Sequence, residues 1–246
     1  MIPLFKTDYS IGKSILTTKP PEKYKEGGVD SIFKIAQDYK FKNIVVLEDS
    51  MIGFLEIHRE CKNLGIGLKF GLRIKTEHGD KIAIFAKNGE GCKLLNKIYS
   101  FANTKNEGKV TYEFLKQIWD EKKLKLAIPF YDSFLFHNLM YFENCIPDFS
   151  FTKPTLFLEE NGLIFDEFLK EEVLNYAKTS ELETQNTKSI FYKNRDDFDA
   201  YVTYRCICNR APGKAKTLNA PNLDYMASRE FCWESYLDGI DKTIKG

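Results

Sequence analysis

Two kinds of hydrophobic pattern alternate along the chain. Short aliphatic and β-branched runs recur, and between them lie stretches whose apolar residues return every three or four positions. The first kind reads as strand, the second as amphipathic helix. "NIVVL" (43–47) predicts a buried strand. Just before it, "VDSIFKIAQDYK" sets Ile32, Phe33, Ala36 and Tyr39 on one helical face, with Asp30 or Ser31 placed to cap the first turn. After it, "SMIGFLEIHRECKNLG" carries Met51, Phe54, His58 and Cys61 at helical spacing and stops at Gly65, a residue free to enter the left-handed region that ends a helix.

The alternation continues. "LKFGLRIKT" and "KIAIFAK" predict strands joined by the turn "EHGD". "NGEGCKLLNKIYSFAN" predicts a helix with a Leu94, Ile98, Phe101 stripe, and "TYEFLKQIWDE" another with a Thr111 cap. "LKLAIPF" returns as a strand, and "PTLFLEE", "LIFDEFLKEEVLNYAK" and "DDFDAYVTYRCIC" follow. "NRAPGKAKTLNAPNL" (209–223) is a long loop before a last helix in "SREFCWESYLDGI". Strands alternating with helices predict an α/β fold with a largely parallel sheet, either barrel or doubly wound. "KPPEKYKEGG" (19–28) reads as a solvated surface insertion.

Composition narrows this only slightly. A chain of 246 residues fits one α/β barrel domain, and 20 Phe with 13 Tyr supply a large core. With 36 basic against 35 acidic residues there is no global field for nucleic acid. No apolar run reaches the ~20 residues of a membrane span, and the start of the chain lacks a signal-peptide layout; a cytoplasmic protein without membrane contact is expected. Cys61, Cys92, Cys145, Cys206, Cys208 and Cys232 form no CxxC, so reduced, buried thiols packing as small hydrophobes are expected.

Catalytic motifs are scarce. GxxxxGK[ST], GxGxxG and GxSxG are all absent. Of the three histidines, His58 reads as a boundary core residue, His78 as part of a polar turn, and His137 as buried and hydrogen-bonded; they share no ligand spacing. Carboxylates follow strands at Glu48–Asp49 and at Glu159–Glu160, where α/β folds present functional groups. Asp49 is the one retained as a candidate.

In their order along the chain, several segments resemble the PHP (polymerase and histidinol phosphatase) domain of bacterial DNA polymerase III alpha subunits. "FKTDYSIGKSIL" is similar to that family's opening strand and turn, "IVVLEDSMIGFLEI" to its second strand and helix, and "ECKNLGIGLKFGLRI" to the next helix and strand. "IAIFAKNGEGCKLLNKIYSFA" is the most specific match; "FYKNRDDFDAYVTYRCI" and "KTLNAPNL" through "REFCWESY" complete the series. The resemblance implies a distorted (β/α) barrel of mostly parallel strands filling residues 1–246 as one domain, with 209–246 packing on the barrel. It also implies vestigial metal positions at Leu4, Lys6, Asp49, Ser50, Arg73, Lys81, Tyr131, Ser189 and Phe191, of which Asp49 alone keeps a ligand type. One carboxylate cannot hold a catalytic metal cluster, and Lys6 and Arg73 would repel cations. No cofactor is expected. Lys6 and Arg73 are expected to point into the former metal cavity and pair with Asp49.

The function this implies is that of a catalytically inactive, metal-free scaffold in a replication complex of phage or bacterial type, bound to a polymerase-body chain or a proofreading exonuclease. No room remains for a polymerase palm. One alternative is a metal-dependent phosphoesterase or 3′–5′ exonuclease using other ligands. Another is a DNA-binding accessory protein making weak phosphate contacts through Arg210, Lys214 and Lys216.

Overall fold

In the computed structural model, which describes residues 1–25, 27–208 and 224–245, the two hydrophobic patterns separate into strands and helices. The strands are β1 (Ile2–Phe5), β2 (Asn43–Glu48), β3 (Gly67–Thr76), β4 (Lys81–Ala86), β5 (Lys109–Val110), β6 (Leu124–Ile128), β7 (Thr155–Leu158) and β8 (Thr184–Ile190). The helices are α1 (Ile32–Asp38), α2 (Phe54–Leu64), α3 (Gly89–Lys105), α4 (Tyr112–Ile118), α5 (Phe134–Tyr141), α6 (Asp166–Thr179), α7 (Phe198–Cys208) and α8 (Trp233–Lys245).

Local chemistry sets the helix boundaries. Side chains of Ser31, Asn88, Thr111 and Ser133 accept hydrogen bonds from the first-turn amides of Phe33, Gly91, Phe114 and Phe136. Gly65 ends α2 at φ +67. Two predicted faces are rotated. On α2 the buried residues are Ile57 and Cys61, and His58 is exposed rather than at the core boundary. On α3 they include Leu95, Ile98 and Ala102, while Leu94 and Phe101 lie at the edge, Phe101 stacked on Phe114.

Strand order in the sheet is β2-β1-β8-β7-β6-β4-β3-β5, and an additional β2–β3 pairing closes the ring. Among the described residues, seven strands therefore form a closed mixed barrel, with β5 appended to β3. Closure rules out the doubly wound alternative. The β4 strand is antiparallel to β3 and β6, and the other ring pairings are parallel.

Two hydrophobic clusters divide the apolar residues. The larger lies between the sheet and the helices. The smaller joins Leu4, Leu47, Ala83, Ala127 and Phe157, one residue from each of five strands, and this fills the lumen. Gly71 of β3 belongs to the same layer: a Cβ there would lie 2.5 Å from the Phe85 ring. The lumen is thus plugged below, and the next inward position on each strand is delivered to the mouth above.

After α7 the chain returns at residue 224 and lies against β8. Phe191 N donates to Phe231 O and Trp233 N to Tyr192 O, both at 3.0 Å. The Trp233 ring stacks on Phe5 at 5.7 Å. Among the described residues, no helix is long and apolar enough to cross a membrane.

Candidate functional site

Above the plug, the strands that supply it supply a polar layer two residues further on. Leu4 is followed inward by Lys6, Leu47 by Asp49, Gly71 by Arg73 and Phe157 by Glu159. Because β4 runs the opposite way, its first residue, Lys81, reaches the same end of the barrel. Lys6 and Arg73 are buried at 3% and 8% exposure. The charges needed there come from these positions and from the loop after β6.

Lys6 Nζ lies 2.7 Å from Asp49 Oδ1. Burial opposes ionisation of Asp49, but Lys6, Arg73 and Lys81 outweigh it and hold the carboxyl down at about 2. Arg73 does not pair with Asp49 as expected. Its Nη2 lies 2.7 Å from Asp132 Oδ2 and also donates to Tyr225 Oη and to the Tyr131 carbonyl. Lys81 Nζ reaches the same Asp132 oxygen at 2.9 Å. Asp132 sits just past the strand end, where a carboxylate can meet two cations without entering the lumen, and that is why Arg73 turns to it. Burial opposes its ionisation too, and Arg73 and Lys81 reverse that, leaving its pKa far below the usual range. Its backbone is left-handed (φ 62) and its carbonyl accepts Lys81 N at 2.7 Å. The residue is therefore clasped to Lys81 through both main chain and side chain.

A second set of hydrogen bonds braces the mouth. Glu48, the fully buried end of β2, accepts from Thr7 N at 2.8 Å and from the Thr7 and Ser10 hydroxyls. Ser10 Oγ in turn accepts Asp49 N at 2.9 Å. The turn after β1 and the end of β2 are thereby fixed together, and Asp49 is aimed at Lys6. Opposite, Glu159 accepts from Ser189 N, Ser189 Oγ and Asn161 Nδ2. Tyr131 Oη donates to Asp166 Oδ1 at 2.9 Å. Tyr131, Phe191, Tyr225 and Phe231 form the aromatic side of the mouth.

Of the sequence candidates, Lys6, Asp49, Arg73, Lys81, Tyr131, Ser189 and Phe191 line this mouth or its walls. Leu4 belongs to the plug one layer below. Ser50 lies outside the cluster, its hydroxyl accepting Ile52 N at 3.4 Å. Arg210, Lys214 and Lys216 lie outside the described residues. His137 makes no hydrogen bond at its buried Nδ1, contrary to expectation. The thiols are free but not uniformly buried: Cys61 and Cys232 are, and Cys208 is exposed.

Glu159 stands at a strand end in the sequence as Asp49 does, yet Asp49 alone is retained there as a candidate. Asp132, Tyr225 and Lys13 are not among the sequence candidates, although Asp132 also follows a strand and the same rule reaches it. Lys13 and Tyr225 come from irregular segments that carry no pattern.

The donor set does not suit a metal cluster. Among the described residues, no group of three or more His, Cys, Asp or Glu side chains is placed to hold a metal ion. Asp49 and Asp132 are each engaged by organic cations, and no histidine joins them. The arrangement holds charge in fixed positions. No family model matches the chain, and no curated protein matches it.

Proposed function

We propose that the protein is a catalytically inactive, metal-free PHP-like domain. It serves as a scaffold or binding module of a DNA polymerase III alpha-type replication complex, docking a polymerase-body chain or a proofreading exonuclease. One observation carries the reading: the strand-end positions where a metal cluster would require ligands hold Lys6, Arg73 and Lys81, paired with Asp49 and Asp132. Organic cations there fill the electrostatic role that metal ions would otherwise fill, so the barrel keeps its shape without them. The order of the resembling segments supplies the replication context, and the fold alone does not specify a partner.

Affinity capture of the tagged chain from its native host tests the proposal. Recovery of a polymerase-body chain or an exonuclease supports it. Recovery of neither, together with Mn²⁺- or Zn²⁺-dependent hydrolysis of a phosphodiester by the purified chain, overturns it.

A further inference from the structure

The outer helices leave an aromatic patch uncovered. Tyr141 and Phe142, at the end of α5, are 61% and 93% exposed, and Ile164 and Phe168, at the start of α6, are 79% and 66% exposed. Buried rings join the two pairs into one surface. The Phe136 ring lies 6.2 Å from that of Tyr141 and 5.5 Å from that of Phe165, the residue after Ile164. Scattered apolar side chains are ordinary on a surface, but a contiguous group of this kind marks an interaction site.

Phe142 is held outward by the fold. Its backbone is left-handed, at φ 55, where a glycine or asparagine commonly ends a helix. The loop beyond it is clasped to α5: Asn138 Nδ2 donates to Cys145 O at 2.9 Å, and Cys145 N donates to Asn138 Oδ1 at 3.0 Å. A bulky residue is thus kept in a costly conformation with its ring in water, a cost that burial against another molecule offsets.

The rim of the patch is acidic. Glu167, Glu171 and Glu172 are exposed on α6, and none makes an ion pair with a described residue. Glu143 is exposed next to Phe142, with its Oε2 3.6 Å from His137 Nδ1. The nearby lysines face elsewhere. Phe165 and Tyr176 define the flank of α6 that meets α5; helical spacing puts Phe168 and Glu172 towards that flank and Lys170 on the opposite one. Lys178 lies about 15 Å further along the helix than Phe168, and Lys116 is taken by Asp148. A second copy of the chain on this face would set carboxylates against carboxylates, and an anionic membrane would meet the same repulsion.

We propose that this face docks a basic, amphipathic segment of a partner protein. The apolar side chains of that segment cover Tyr141, Phe142, Ile164 and Phe168, and its lysines or arginines meet Glu143, Glu171 and Glu172. Exposed aromatic anchors supply the affinity, and the acidic rim selects the charge of what binds. The inference rests on the reading of the chain as a binding module and adds where the partner sits and what chemistry it presents.

Fluorescence anisotropy of the full chain with a labelled amphipathic peptide of leucine and lysine tests the surface. A scrambled peptide of the same composition and one with glutamate in place of lysine serve as comparisons. Saturable binding of the first peptide, weakening as salt rises, is expected. Phe142→Gly and Phe168→Gln each weaken it by about tenfold, the loss of one aromatic anchor. Glu171→Gln/Glu172→Gln weakens it and flattens its salt dependence, whereas Glu22→Gln, in the segment before α1, leaves it unchanged. Phe142→Gly also raises the melting temperature, because glycine enters the left-handed region freely, and this separates lost binding from lost folding. In capture from the native host, Phe142→Gly/Phe168→Gln loses the polymerase-body chain or exonuclease that the unaltered chain recovers. Retention of that partner, absence of saturable binding, equal binding of all three peptides, or binding that the substitutions leave unchanged overturns the inference and leaves the binding-module reading standing. A dimer of the chain, or binding to phosphatidylserine–phosphatidylcholine vesicles, that is lost in the same variant assigns the face to a second copy or a membrane and also overturns it. Recovery of no partner by the unaltered chain overturns the inference, and overturns the binding-module reading too when Mn²⁺- or Zn²⁺-dependent hydrolysis of a phosphodiester accompanies it.

Discussion

Replacing Lys6 with methionine removes one half of an ion pair whose side chains are 4% and 29% exposed. The Asp49 carboxyl is held at about 2 against an ordinary 3.8, a difference worth roughly 2.4 kcal/mol at ~1.36 kcal/mol per tenfold change. Its folded pKa is depressed, so this stability is present above 3.8 and is lost as pH falls through about 2. Taking away Lys6 also strands a carboxylate that burial already disfavours. Breaking a buried pair costs about 3–5 kcal/mol. Partial solvent access to Asp49, and the remaining pull of Arg73 and Lys81, place the expected loss near ~3 kcal/mol at neutral pH. Urea unfolding followed by tryptophan fluorescence measures it. At about pH 3, where unfolded Asp49 is already mostly protonated, the cost should shrink to roughly half. The double variant Lys6→Met/Asp49→Leu should recover all but about 1 kcal/mol, because neither charge is then left alone. A loss below about 1 kcal/mol at neutral pH, or one that is the same at both pH values, would refute the assignment of Lys6 as the counter-ion.

Arg73→Met should cost about 3 kcal/mol or more by the same urea assay, since Asp132 keeps only Lys81 and Tyr225 Oη loses its partner. Gly71→Ala should destabilise by roughly 1–3 kcal/mol through overpacking in the lumen, with Phe85→Leu in the same chain restoring much of it. Ser133→Ala should cost about 1 kcal/mol by removing the α5 cap. Lys13 has a folded pKa below its unfolded one, so between about 8 and 10.5 the unfolded chain binds more protons and stability gains from this group as pH rises; Lys13→Met should flatten the slope of melting temperature against pH in that window.

Elements that bury one face against another were legible in the sequence. The β2 run and the α1 periodicity carry the apolar signature of a sheet–helix interface, and caps at Ser31 and Thr111 fall where the hydroxyls stand. Two strands lack that signature for a physical reason. In β8, "TQNTKSI", the inward residues Thr187 and Ser189 are polar, and Ser189 bonds to Glu159 in the lumen. In β1, Lys6 follows directly after a four-residue strand. A barrel whose mouth is filled with charge hides its strands from hydrophobic patterning. Position along a strand told which side chains share the mouth, but not which of them pair. Arg73 chooses Asp132 over Asp49 because the left-handed turn at Asp132 brings its carboxylate to β4, and nothing in the local sequence announces that conformation.

The pairing of β1 has a consequence for how the chain acquires its structure. This strand is registered against β8 over four residues but meets β2 only at Phe5 and Val46. Its outer face is covered by Trp233, which arrives later still. During vectorial synthesis β2, β3 and β4 can associate early, while β1 waits for partners about 180 residues downstream. The β1–β8 pairing is thus among the most distant in sequence, and its loop entropy must be met before any reward. Lys6 and Asp49 can meet early through the short β1–β2 contact, but a nascent chain arrested before β8 would leave the other edge of β1 open, a state that invites chaperone capture.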